Sequence, residues 1–91
     1  MTQINCKYHL KGFDEETIVM RKGAEILTIF LKDGVPTLFC LFPSEEHGTD
    51  HRTFLNVREG GVLPSNCTYI GSYKDMGGAF VEHVFEKLSD S

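Results

Sequence analysis

Apolar and polar residues alternate along much of the chain, and this period of two predicts strands rather than helices. Near the N-terminus, Ile4, Cys6, Tyr8 and Leu10 alternate with polar residues. This pattern is typical of a strand with one buried and one solvated face. Further strands are predicted at residues 17–20, 53–57 and 69–73.

The Asp33-Gly34 dipeptide lies between two apolar runs and is the clearest turn signal in the sequence. It favours the positive φ angles of a two-residue type I′ turn, so residues 25–32 and 35–42 are predicted to form a hairpin. Because Pro36 has no N–H, the ladder on its far side should begin after Pro36, or the strand lies at an edge. The predicted pairs are Lys32 with Val35, Leu31 with Pro36, Ile29 with Leu38, and Leu27 with Cys40.

Both faces of this predicted hairpin are apolar. We assign one face to the core: Leu27, Ile29, Leu31, Leu38, Cys40 and Phe42. The other face holds Ile26, Thr28, Phe30, Thr37, Phe39 and Leu41. Four of these six side chains are large and apolar, which is too many for a face left in water. We therefore expect another sheet or another subunit to cover this face, and hence a homo-oligomer.

The C-terminal segment, residues 79–88, fits two patterns. Val81, His83 and Phe85 fit one face of a strand, whereas Phe80, Val81, Val84, Phe85 and Leu88 fit a helical stripe. Valine and phenylalanine favour a strand that pairs with residues 69–73. The predicted fold is mainly β, a small antiparallel sandwich or open barrel of six to seven strands, with a short C-terminal helix as the alternative. Residues 1–91 are too few for more than one domain.

Composition narrows the classes of function. The net charge of −4 argues against a protein that binds long nucleic acid. No apolar run reaches membrane length and the N-terminus lacks the features of a signal peptide, so we expect a cytoplasmic protein with no membrane partner. The three cysteines form no CxxC pair, which favours free thiols over a disulfide framework or a zinc ribbon.

No motif for catalysis or metal binding stands out. The serines lack a GxSxG context, and Cys67 and His83 would form a nucleophile pair only if the fold brought them together. His47 and His51 have metal-ligand spacing, but Gly48 and Pro43 place them in a predicted loop. We therefore expect neither an enzyme nor a protein with a metal or cofactor.

The best candidate for ligand binding is the Gly77-Gly78 pair near Lys74. Paired glycines let backbone N–H groups approach a phosphate, tyrosine rings stack on bases, and arginines can complete a cationic rim. The alternative interpretation is a glycine-rich connection with core tyrosines, surface arginines and a structural histidine. The candidate ligand-binding residues are Arg52, Arg58, Tyr69, Tyr73, Lys74, Gly77, Gly78 and His83.

Residues 68–86, TYIGSYKDMGGAFVEHVFE, resemble the C-terminal signature of a small uncharacterised protein family of tailed phages and prophages. Residues 22–28, the turn at 33–36 and the strand at 52–54 are similar to the rest of that family. The resemblance covers about residues 3–87 and implies an infected bacterial host as the setting.

Small phage proteins that lack catalytic motifs often act by binding. The expected function is therefore a non-enzymatic counter-defence protein that sequesters a host immune nucleotide messenger, as phage sponge proteins do. The alternative is a protein–protein inhibitor of a host defence complex, like anti-CRISPR proteins. An accessory phage protein without a defence role is a third possibility.

Overall fold

Seven antiparallel strands form two sheets in the computed structural model, which describes residues 2–88 apart from the side chain of Met76. One sheet has the order β1-β4-β3 and the other β2-β5-β7-β6. The strands are β1 (Gln3–His9), β2 (Glu15–Arg21), β3 (Glu25–Lys32), β4 (Val35–Pro43), β5 (Thr49–Arg58), β6 (Cys67–Asp75) and β7 (Phe80–Lys87). The predicted antiparallel β-sandwich of six to seven strands is confirmed, and the described strands do not close into a barrel. The helix alternative for residues 79–88 is wrong, because β7 occupies that segment.

The β3–β4 hairpin turns at Asp33-Gly34, where the φ angles are 52° and 79°. Three of the four predicted pairs are observed. The pairing of Leu27 with Cys40 is wrong, because the register shifts between Ile26 and Thr28 and places Ile26 opposite Cys40. The extra residue of this β-bulge is Leu27, whose side chain is 45% exposed.

Because of the bulge, the predicted positions of Ile26 and Leu27 relative to the core are reversed. Ile26, predicted on the second face, packs against the core, whereas Leu27, predicted in the core, does not. Leu31 was also assigned to the core and is exposed, two residues before the exposed turn residue Asp33. The ladder of β4 with β1 begins at Thr37, directly after Pro36, as the missing N–H of Pro36 predicts. The Pro36 carbonyl accepts a hydrogen bond from Leu10 N.

The core lies between the two sheets. The buried apolar residues are Leu10, Met20, Ala24, Ile29, Leu38, Cys40, Phe42, Phe54, Tyr73 and Val84. Cys6, Cys40 and Cys67 are free thiols, as predicted.

The second face of the hairpin points away from the other sheet. Phe30, Phe39 and Leu41 alternate with core residues of β3 and β4, and all three are half-buried. The seven described strands all belong to the two sheets, so they provide no third layer over this face. Cover by another subunit stays a prediction.

Candidate functional site

Six of the eight candidate residues lie on the β6–β7 hairpin, and three of these share one face of the sheet. Tyr69 lies opposite Phe85, Ser72 opposite His83, and Lys74 opposite Val81. Residues directly opposite each other in an antiparallel pair have side chains on the same face. The alternate residues Tyr73 and Val84 are in the core. Tyr69, His83 and Lys74 therefore lie on the outer face of the four-stranded sheet.

Tyr69 is held by two aromatic neighbours and remains accessible. Its hydroxyl lies 3.4 Å from Nδ1 of His83, with 6.0 Å between the ring centroids. Its ring meets that of Phe85 edge-on at 5.3 Å. The residue is still 53% exposed. A ring in this setting can stack on a ligand at little cost in side-chain entropy.

The two candidate glycines form the turn at the end of the same hairpin. Gly77 has φ 67° and Gly78 has φ 95°, conformations that glycine adopts without strain. Both are exposed, and a Cβ at either would meet nothing within 4 Å. Lys74 lies just before this turn, is exposed, and forms no ion pair within residues 2–88. We call Tyr69, His83, Lys74 and the turn Gly77–Gly78 the hairpin site.

Arg52 lies outside the hairpin site, on the inner face of the four-stranded sheet. Its Nε and Nη2 donate to the two carboxylate oxygens of Glu86 at 2.6 and 2.7 Å. Its Nη1 donates to the carbonyl of Ala24 at 2.5 Å. The hydrogen bonds with Glu86 raise the pKa of Arg52. All three guanidinium nitrogens are thus engaged inside the protein.

Arg58 and Tyr73 also lie on the inner side of the sheet. Arg58 pairs with Glu82, with 3.1 Å between Nη2 and Oε1, and its guanidinium lies over the ring of Phe80. The Tyr73 ring is buried and its hydroxyl accepts a hydrogen bond from Asn56 Nδ2 at 2.9 Å. Burial raises the pKa of Tyr73. The eight candidates therefore do not form one surface, because Arg52, Arg58 and Tyr73 project from the opposite, inner face of the sheet.

Charges are divided between the two faces of the four-stranded sheet. By the register of β2, β5 and β7, the carboxylates of Glu16, Asp50, Glu82 and Glu86 lie on the inner side. Among the lysines, histidines and carboxylates of these four strands, those on the outer side are Lys74, Lys87, His51, His83 and Glu15. The outer face thus carries more cationic than acidic groups although the chain as a whole is acidic.

The residues considered for catalysis and metal binding are not brought together. Cys67 lies opposite Lys87, four residues along β7 from His83, which corresponds to about 13 Å. Its Sγ donates to the carbonyl of Ser65. His47 lies between β4 and β5, whereas His51 lies within β5, which begins four residues before the predicted strand. Within residues 2–88, no three His, Cys, Asp or Glu side chains converge as a metal site.

One feature that the sequence patterns did not predict is a cleft of about 640 Å³ in the four-stranded sheet. It is lined by residues 50–53 of β5 and by residues 86–88 at the end of β7. Strand order is needed to locate it, and hydrophobic periodicity carries no information on which strands are neighbours. None of the helical residues described is part of a segment long and apolar enough to cross a membrane.

The chain belongs to a family described as a domain of unknown function, DUF7352, whose profile matches residues 1–91. No curated protein matches the chain, and no solved structure does.

Proposed function

We propose that this protein is a non-enzymatic binding protein that holds a small nucleotide at the hairpin site. In the setting of phage infection, it would sequester an immune messenger in the cytoplasm of the host. The observation that carries the proposal is the placement of Tyr69, His83 and Lys74 on one exposed face beside the Gly77–Gly78 turn. Tyr69 stacks on the base, while His83, Lys74 and the backbone of the turn contact phosphate.

The spacing along the hairpin supports this assignment. Tyr69, His83 and Lys74 belong to successive rows of the outer face, and neighbouring rows are about 7 Å apart. A base on Tyr69 leaves the phosphate over His83 and within reach of the flexible Lys74 side chain. The excess of cationic over acidic groups on this face favours an anionic ligand.

A single sheet face is too open to enclose a ligand, since ligand pockets cover most of the bound molecule. Leu55, Val57 and Phe85 lie on the same outer face and are half-buried. A second copy of the chain that packs on these side chains would close the hairpin site into a pocket. A homo-oligomer is therefore part of the proposal.

The test is direct measurement of bound and added nucleotides. The purified protein is denatured and the released small molecules are identified by mass spectrometry. A panel of linear and cyclic mono-, di- and trinucleotides is then titrated by calorimetry. We expect at least one nucleotide to bind at micromolar concentration. Tyr69→Ala or Lys74→Ala should weaken its binding about tenfold or more, because each variant removes a stacking contact or a charged hydrogen bond.

Two matched controls lie away from the hairpin site. Phe13→Ala removes an exposed aromatic ring in the loop between β1 and β2, and Lys7→Ala removes an exposed lysine of β1. Neither should change nucleotide affinity. The absence of any co-purified or added nucleotide at micromolar protein would overturn the proposal, as would equal effects of control and site variants.

The second candidate function is inhibition of a host defence protein through the outer face of the three-stranded sheet. Phe30, Phe39 and Leu41 lie there with no described strand over them, and contiguous apolar surface of this kind marks protein interaction sites. Two variants distinguish these functions. Phe39→Ser should abolish inhibition of the defence protein and leave nucleotide binding unchanged, whereas Tyr69→Ala should abolish nucleotide binding and leave inhibition unchanged.

A further inference from the structure

Two of the three thiols lie directly opposite each other in the three-stranded sheet. Cys6 of β1 is paired with Cys40 of β4, and residues that are directly opposite have their side chains on one face. Cys40 is fully buried in the core, and Cys6 packs against that core. Burial and, after it, the neighbouring Cys6 thiol raise the pKa of Cys40. The two sulfur atoms are therefore neighbours on the inner face of the sheet.

The hydrogen bonds at the two ends of the β1–β4 ladder determine the spacing of this cysteine pair. Leu10 N donates to the carbonyl of Pro36 at 2.8 Å, and Ser44 N donates to the carbonyl of Thr2 at 2.9 Å. Hydrogen-bonded and non-hydrogen-bonded pairs alternate along a continuous register, so the even-numbered residues of β1 form the hydrogen-bonded pairs. The Cα atoms of such a pair lie about 5.5 Å apart. This spacing is within the range of about 4.4–6.8 Å that a disulfide spans.

A disulfide at this position would be strained. The Cβ atoms of a hydrogen-bonded pair lie about 5–5.5 Å apart, whereas a disulfide needs about 3.5–4.5 Å. Because β1 is at the edge of its sheet, a small shift of this strand can bring the sulfur atoms together. Strained disulfides are readily reduced. The geometry therefore favours a disulfide that forms reversibly over a permanent one.

The two thiols differ in their access to solvent. Cys6 is half-buried, whereas Cys40 has no exposed surface. A small oxidant can therefore reach Cys6 first, and Cys40 then reacts with the group that Cys6 has acquired. This is the arrangement of an accessible thiol beside a resolving thiol that is found in redox-sensitive proteins.

We propose that Cys6 and Cys40 form an oxidation site, which a low-molecular-weight disulfide such as oxidised glutathione converts to a reversible protein disulfide. In the first step, Cys6 loses its proton to water and its sulfur attacks one sulfur of the oxidant. The S–S bond of the oxidant breaks, and one glutathione leaves as a thiolate and is protonated. In the second step, Cys40 loses its proton, its sulfur bonds to that of Cys6, and the second glutathione leaves and is protonated.

The reaction balances without another reactant. Two protein thiols lose two electrons and two protons, and one oxidised glutathione becomes two glutathione thiols. The product ties the edge strand β1 to β4 in the middle of the sheet. Hydrogen exchange at the amides of β1 should be slower in the oxidised chain, because the crosslink opposes local opening of this strand. The site is separate from the hairpin site and does not depend on nucleotide binding.

The third thiol is a matched control within the same chain. Cys67 is half-buried like Cys6, but it lies opposite Lys87 and not opposite a cysteine. The folded full-length protein is incubated with oxidised glutathione at neutral pH, quenched with acid and analysed by peptide mass spectrometry without reduction. We expect glutathione to accumulate on Cys67 but not on Cys6, and peptides joined through Cys6 and Cys40 to form. The joined species should migrate as one chain on a denaturing gel, and excess reduced glutathione should restore its free thiols.

A variant without the resolving thiol completes the test. In Cys40→Ala, glutathione should accumulate on Cys6 to the level seen on Cys67. If Cys40→Ala does not fold, the comparison of Cys6 with Cys67 in the wild-type chain still decides the question. The proposal is overturned if glutathione accumulates equally on these two thiols in wild type, if no link between Cys6 and Cys40 forms, or if the link forms only in chains unfolded by urea.

Discussion

At the scale of single residues, the Arg52–Glu86 pair ties β5 to β7 at the point where their ladder ends. The two side chains are 19% and 18% exposed, and the guanidinium also holds the Ala24 carbonyl before β3. We predict that Arg52→Lys destabilises the protein by about 1–2 kcal/mol, because an ammonium group cannot reproduce the bidentate contact and the third hydrogen bond together. Urea denaturation measures the loss.

Arg58→Lys is the matched control for this prediction. Arg58 is also paired with a glutamate of β7, but its side chain is 54% exposed and both of its hydrogen bonds go to one oxygen of Glu82. We expect a cost below about 0.5 kcal/mol, since solvent screens an exposed pair. Equal costs for the two substitutions would show that the Arg52 contacts add nothing to stability.

The thiol of Cys40 gives the protein a dependence on alkaline pH. Burial raises its pKa from the ordinary value of 9.0 to about 12. The folded state then keeps a proton that the unfolded state releases above pH 9. The resulting stabilisation is complete below about pH 9 and is lost as the pH rises towards 12, at up to about 1.4 kcal/mol per pH unit.

The measurement is the free energy of unfolding between pH 9 and 11. We predict a shallower decline in Cys40→Ala than in wild type, although Cys40→Ala is less stable throughout because it leaves a cavity. Cys67→Ala, which removes a thiol at the start of β6 outside the core, should decline like wild type. Parallel profiles for wild type and Cys40→Ala would contradict the prediction.

At the scale of strands, the two sheets approach closely where β6 meets β3. A Cβ at Gly71 would lie 3.1 Å from Cγ2 of Ile29, a buried side chain, next to the β-bulge of β6. We predict that Gly71→Ala costs about 1–3 kcal/mol through overpacking. The measurement is a double-mutant cycle with Ile29→Ala, in which Gly71→Ala should cost less because the contacting methyl group is gone. Additive costs would show that no contact at Ile29 limits this position.

The strands themselves were largely predictable from the sequence, because alternation and the Asp33-Gly34 turn are local signals. The bulge at Leu27 was not, since both Ile26 and Leu27 are apolar and either could face the core. The same limit applied to β5. Leu55 and Val57 favour one face as the core, yet Phe54 is the buried residue and the flanking arginines turn inward to meet Glu82 and Glu86. Those partners lie about 25–35 residues away, where periodicity gives no information.

Only part of the candidate site could be predicted, because local sequence determines the pairing within a hairpin but not the order of strands in a sheet. The residues Tyr69, Lys74, Gly77, Gly78 and His83 belong to one hairpin, whose pairing follows from local sequence. Arg52 and Arg58 come from β5, whose position beside β7 depends on the sheet order. Tyr73 differs from Tyr69 in facing the core, because the register shift between Tyr69 and Gly71 changes the alternation along β6.

At the scale of the whole molecule, both sheets have outer faces with apolar side chains. We predict that the native mass is at least twice the 10.3 kDa of one chain. Leu55→Lys, on the face of the hairpin site, should reduce it to one chain, because association would bury the new charge. Phe39→Lys on the other sheet is the comparison. A single-chain mass for wild type would contradict the prediction. Dissociation by Phe39→Lys alone would place the second copy on the wrong face to enclose a nucleotide.

The order of the strands also governs how the chain reaches its native state. Only β3–β4 and β6–β7 join neighbouring segments, whereas β1 must find β4, β2 must find β5, and β5 must find β7. Loop closure over such separations costs entropy before any contact forms, so refolding should take milliseconds to seconds rather than microseconds. Stopped-flow dilution from urea measures this rate. A newly made chain would thus expose unpaired strand edges for long enough that its crowded surroundings, and not only its final stability, decide its yield.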